Sequence, residues 1–212
     1  CFFDLARDAR VLFGRADAIN ASVLGASFER AHTLIFVRPQ FTHALAIDAT
    51  RAGGTERVTG SFKRFEDLQT HETNRVEFNV DSNLDSGVYR QVAQGRSDEL
   101  LDSLLFTRPP QVHAEGSVTG HGPGAVADYT FQGATSGSFQ YFDFPVDTAQ
   151  ATGWVKGPEV HLDEIQFTTA GGKGGGKADL TGPADHRRLG FDAYINAADF
   201  GRAVKAVELF EA

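Results

Sequence analysis

Val112-His113-Ala114-Glu115-Gly116-Ser117-Val118-Thr119 sorts its side chains by parity. Val112, Ala114 and Val118 fall on one side; His113, Glu115, Ser117 and Thr119 fall on the other. A period of two marks a strand, because successive Cβ atoms of an extended chain point to opposite faces. The same cadence extends in both directions. Upstream, Leu45, Ile47 and Ala49 alternate with Ala46, Asp48 and Thr50. Val58, Gly60 and Phe62 alternate with Thr59, Ser61 and Lys63, and Val76, Phe78 and Val80 with Glu77, Asn79 and Asp81. Downstream, Tyr129, Phe131 and Gly133 repeat it, as do Val160 with Leu162, Ile165 with Phe167, and Leu189, Phe191, Ala193 and Ile195. Each reads as a strand with one apolar and one polar face.

Turn signals separate these segments: Gly53-Gly54, Gly120 through Gly124, Gly157-Pro158, Gly171-Gly172 and Gly182-Pro183. Their spacing, roughly 10–20 residues, suits an antiparallel meander of fairly long strands. The phase slips between Leu162 and Ile165 and again within Phe139-Gln140-Tyr141-Phe142-Asp143-Phe144. A bulge at each place is the simplest account.

Two stretches leave the strand pattern. Ser97-Asp98-Glu99 followed by Leu100, Leu101, Leu104 and Leu105 predicts a capped amphipathic helix, stopped by Pro109-Pro110. Phe200, Ala203, Val204 and Val207 predict a second helix within 197–210. The fold expected is therefore mostly β: a long antiparallel sheet, curled or twisted into a groove, with one or two short amphipathic helices. The expected organisation is a first strand set over 1–81, a helical linker over 82–109, and a second β region with a C-terminal helix over 110–212.

Composition narrows the class. The 212 residues are 41% hydrophobic and 23% charged, which excludes a disordered chain. With 23 Gly, no Met, one Trp and 18 Phe, turns are abundant and phenylalanine carries much of the core bulk. Lys and Arg number 20 against 28 Asp and Glu, a net charge of −8, so no basic stripe for nucleic acid is expected. One cysteine, Cys1, allows no intrachain disulfide. The start at Cys1-Phe2-Phe3, without Met, reads as a piece of a longer polypeptide; an acylated N-terminal cysteine is the other reading, which Phe2 and Phe3 do not support. No apolar run approaches the ~20 residues of a membrane helix, so an anchor is expected outside this stretch.

Chemical motifs are weak. Gly171-Gly172-Lys173-Gly174-Gly175-Gly176-Lys177-Ala178 approaches a phosphate-binding loop. However, Ala178 stands where a hydroxyl should bind magnesium, and Asp179 through Pro183 cannot continue as the required helix. A flexible hairpin tip is the expected reading, with no nucleotide. The seven histidines (His32, His43, His71, His113, His121, His161 and His186) lack metal-motif spacing and read as solvated surface groups. No Gly-x-Ser-x-Gly elbow exists, and Ser136-Gly137-Ser138 reads as a turn. Asp163-Glu164, adjacent on a strand, reads as a polar bulge rather than an acid/base pair. No catalytic residue, metal or cofactor is expected. The apolar strand faces stay ambiguous between a sandwich core under a second sheet and an open face that holds a guest.

The stretch from Pro110-Gln111-Val112-His113-Ala114-Glu115-Gly116, through Tyr129-Thr130-Phe131-Gln132-Gly133 and Gly137-Ser138-Phe139-Gln140-Tyr141, continues with Ala151-Thr152-Gly153-Trp154-Val155. It runs on through Val160-His161-Leu162-Asp163-Glu164-Ile165 and Gly171-Gly172 to Leu189-Gly190-Phe191-Asp192-Ala193. This cadence resembles the C-terminal region of bacterial AsmA-like proteins, the superfamily that includes the TamB-type translocation and assembly module proteins. The resemblance covers about half the chain.

It implies a non-enzymatic envelope protein whose apolar β-groove shields acyl chains, in phospholipid transport or outer-membrane assembly. It further implies a periplasmic location, inner-membrane anchoring through a segment elsewhere, and envelope membrane proteins as partners. The candidate lining residues are Val112, Ala114, Val118, Tyr129, Phe131, Val160, Leu162, Ile165, Phe167, Phe191 and Ile195. The rival reading is a β-sandwich or solenoid interaction module, adhesin-like or glycan-binding, for which Trp154, Tyr141 and Phe142 are the aromatic hint.

Overall fold

The structure, a computed structural model, describes residues 2–4, 9–23, 26–67, 69–70, 72–93, 104–120, 124–141, 144–182, 186, 188–196, 199 and 201. It is mostly β, with a long antiparallel sheet that is not closed and one short α-helix among the described residues. The chain divides into two compact units, one of residues 1–82 and 113–130, the other of residues 83–112 and 131–212.

The first unit is a meander of β1 (Phe2–Asp4), β2 (Ala9–Val23), β3 (Ala26–Arg38), β4 (Phe41–Arg51), β5 (Glu56–Glu66) and β6 (Thr73–Ser82), each paired antiparallel with the next. The greater part of β8 (Gln111–Thr119) and the first half of β9 (Val126–Ala134) complete it. Apolar residues pair across strands on one side: Ala49 with Val58, Ala44 with Phe62, Gly60 with Val80, and Phe62 with Phe78. Such cross-strand pairs on one face are the unit of sheet stabilisation, each worth ~0.2–1 kcal/mol.

One detail departs from simple alternation. Ala44 opposes Phe62 and Ile47 opposes Gly60, so Leu45 and Ala46 form a bulge facing Ser61. Leu45, expected on the face of Ile47 and Ala49, drops out of register and is 41% exposed.

The second unit builds its part of the sheet from the rest of β9, β12 (Thr148–Lys156), β13 (Glu159–Thr169), β14 (Gly172–Thr181) and β15 (Arg188–Asn196), in that order. The bulge expected between Leu162 and Ile165 is present. Leu162 opposes Ala178 and Ile165 opposes Gly176, leaving Asp163 and Glu164 facing Lys177. The extra residue returns Ile165 to the side that Leu162 occupies.

Two expectations change here. The helix expected from Ser97 to Leu105 falls mostly outside the described residues, but Leu104 and Leu105 lie in a strand, β7 (Leu104–Phe106). That strand pairs with β10 (Phe139–Tyr141), and the Phe106 and Phe139 rings sit 5.2 Å apart, so tertiary pairing overrides helical periodicity. The helix stands earlier, α1 (Ser86–Ala93), started by Asp85, whose carboxylate accepts the Gly87 N–H at 2.8 Å. Its Val88 is buried with Leu84.

The slip within Phe139–Phe144 is not a bulge but a hairpin: Tyr141 opposes Phe144, the first residue of β11 (Phe144–Val146). This small sheet meets the long one where the Thr169 hydroxyl donates to the Pro145 carbonyl. Phe139, Val146 and Ala170 are buried at this end. The C-terminal helix expected over 197–210 lies almost wholly outside the described residues.

Candidate functional site

Register in the second unit sorts residues into four apolar rows. The first runs Val155, Val160, Leu180 and Leu189. The second runs Gly153, Leu162, Ala178 and Phe191, with the Phe131 ring over Gly153, where an added Cβ would stand 2.9 Å from Cζ. The third is Ala151, Ile165, Gly176 and Ala193; the fourth is Ala149, Phe167, Gly174 and Ile195. Directly opposed residues share a face, so the rows form one surface without a charged or hydroxylated side chain. Of the expected lining residues, Phe131, Val160, Leu162, Ile165, Phe167, Phe191 and Ile195 meet on it. Leu162 and Ile165 do so only because of the bulge.

These side chains are not sealed. Val160, Leu162, Ile165 and Phe167 are half-buried, Ile195 is 42% exposed and Phe191 76%. Among the described residues no large side chain is fully buried. A sandwich core would be buried far more deeply.

Val112 belongs to the second unit; Ala114, Val118 and Tyr129 belong to the first. There the Tyr129 ring lies 5.7 Å from Phe78, which continues the apolar side of β5 and β6. Burial raises the Tyr129 phenol above its ordinary pKa, and burial does the same to Tyr141.

Sequence reasoning missed the small members of the surface: Ala149, Ala151, Gly153, Gly174, Gly176 and Ala178. Glycine and alanine carry little hydrophobic signal, so only register reveals them. The glycine run is a strand rather than a flexible tip; the hairpin tip is Ala170-Gly171, with φ of 49° and 78°. The glycines make room for rings on both faces. A Cβ on Gly174 would collide with Phe167, and one on Gly175 would stand 2.9 Å from the Tyr194 hydroxyl.

The opposite face carries the ion pairs, beside an aromatic cluster of Phe36, Phe41 and Phe65 in the first unit. In the first unit the Arg57 guanidinium grips Asp48 at 2.6 Å and holds that carboxyl below its usual range. Asp17 is lowered first by Arg15 and then by His32, whose Nδ1 lies 2.9 Å away. His113 pairs with Asp81 at 2.8 Å.

His161 departs from the expectation of a solvated group. Its imidazole bonds Asp179, stacks on Trp154 at 3.9 Å, and has its Nε2 buried. That stack covers one face of the indole a sugar would need. His71 and His121 lie outside the described residues.

Among the described residues no group of three or more His, Cys, Asp or Glu side chains could hold a metal ion. No described helix is long and apolar enough to cross a membrane. Comparison with known proteins finds no matching family model, no matching curated protein and no matching solved structure.

Proposed function

We propose that this chain is a non-enzymatic domain that shields lipid acyl chains along the apolar face of its sheet. In keeping with its AsmA-like resemblance, it would contribute to phospholipid transport or outer-membrane assembly, working in the periplasm with anchoring supplied elsewhere in the polypeptide. The supporting observation is the set of four uncharged rows across β12 to β15, whose side chains, glycines apart, stay half-buried or exposed. Each methylene exposed to water costs ~0.8 kcal/mol, so an acyl chain carries a large penalty through an aqueous gap. A continuous apolar surface removes that penalty without any reacting group. Phospholipid is the ligand this surface suits.

Native mass spectrometry of the protein purified from bacterial cells tests the reading. Co-purifying phospholipid is expected, and the paired change Ile165→Asp with Phe167→Asp should abolish it while circular dichroism stays that of a β-sheet. Protein free of lipid, together with no uptake of a fluorescent phospholipid by the purified chain, rejects the reading. Glycan binding without lipid would favour an adhesin-like module instead.

A further inference from the structure

The last strand, β15, has a feature the acyl-chain reading leaves unused. All nine of its residues are exposed, Phe191 at 76%, Tyr194 at 60% and Leu189 at 57%. It pairs with β14 on one side and, among the described residues, ends the strand order on the other. An end strand displays a row of backbone N–H and C=O groups, and proteins ordinarily blunt it with Lys, Pro or a bulge. Arg188-Leu189-Gly190-Phe191-Asp192-Ala193-Tyr194-Ile195-Asn196 contains neither Lys nor Pro, and it matches β14 residue for residue without a shift. Its one cation and one anion leave it neutral.

We propose that β15 is a self-association edge that takes β15 of a second copy of this chain in antiparallel register. The strand is complementary to itself. Pairing over its full length sets Arg188 opposite Asn196, Leu189 opposite Ile195, Gly190 opposite Tyr194 and Phe191 opposite Ala193, with Asp192 opposite its own copy on the two-fold axis. Parity is preserved, so the apolar residues of both copies fall on one face and the polar residues on the other. Tyr194 opposite Gly190 repeats the arrangement across β14, where Tyr194 opposes Gly175 and its hydroxyl lies over that glycine. The one unfavourable element is the Asp192 pair, since like charges directly opposed weaken a strand pair.

Sedimentation of the 212-residue chain from low-micromolar to submillimolar concentration tests this. A reversible monomer–dimer equilibrium is expected. Phe191→Lys with Ile195→Lys should weaken it about tenfold or more, and Tyr194→Lys, on the other face, should weaken it as well. All three positions are exposed, so circular dichroism should stay that of a β-sheet and the melting temperature should fall only slightly. Asp192→Asn should tighten the dimer about threefold by removing the on-axis repulsion. A chain that stays monomeric, or a dimer indifferent to the lysine variants, overturns the proposal; a dimer unmoved by Asp192→Asn overturns this register. The readout needs no lipid, so the edge and the acyl-chain reading fail separately.

Discussion

Truncating Phe191 asks directly whether the apolar rows are a surface or a core. Its side chain is 76% exposed, so only about a quarter of it is out of water. A phenylalanine presents ~200 Å², so that fraction is ~50 Å², and at ~25 cal/mol per Å² the contact is worth ~1 kcal/mol. Phe28, 8% exposed, buries nearly all of the same area, and its loss should cost ~4 kcal/mol. Phe191→Ala should therefore shift the urea midpoint slightly, and Phe28→Ala strongly, with both followed by circular dichroism. Trp154 is the single tryptophan and lies in the same unit as Phe191, so its fluorescence reports that unit. A cost of ~3 kcal/mol or more for Phe191→Ala would mean that this face is covered in solution, and the acyl-chain reading would fall with it.

Three further outcomes are expected. Gly174→Val drives a branched side chain into the Phe167 ring and the Tyr194 backbone, and should cost ~1–3 kcal/mol, seen as a lower melting temperature; an unchanged melt would show that this close approach does not constrain the strand. The Tyr129 phenol is raised by burial, so its contribution is full below the unfolded value near ~10 and is lost as pH rises through the higher folded value. Tyr129→Phe should flatten the alkaline limb of a stability profile, and an identical limb in the variant would refute it. Asp48 is lowered chiefly by its hydrogen bond to Arg57, so its contribution is present above ~4 and lost as pH falls through the depressed value. Its side chain is 42% exposed, so Asp48→Asn should cost no more than ~0.5 kcal/mol at neutral pH and nothing in acid.

Much of the β architecture was legible because alternation is a local property. Val58-Gly60-Phe62 and Val76-Phe78-Val80 declare their apolar sides before any neighbour is known, and the structure sets Gly60 beside Val80 and Phe62 beside Phe78 on one side of the sheet. The slip at Leu162 and Ile165 was equally legible, since an odd spacing between apolar residues on one strand needs an extra residue between them.

What failed depended on partners distant in sequence. Leu104 and Leu105 fit a helical period, yet β10 recruits them into a strand. Phe139 to Phe144 looked like one irregular strand because a hairpin turn and a bulge leave the same break in phase. The short helix at Ser86–Ala93 had only Asp85 as a start signal and Gly87 inside its first turn, a weak combination.

By itself, then, the order of residues determined that the chain would be strands with one oily and one polar side, because side-chain direction in an extended backbone follows parity alone. The tertiary structure decided which strands lie beside which, and so which oily residues form a surface. Ala149, Gly174 and Ala178 became part of it only once register set them beside Phe167, Ile195 and Phe191. Whether that surface faces solvent was likewise a tertiary matter, since burial is decided by what packs above a face and not by the face.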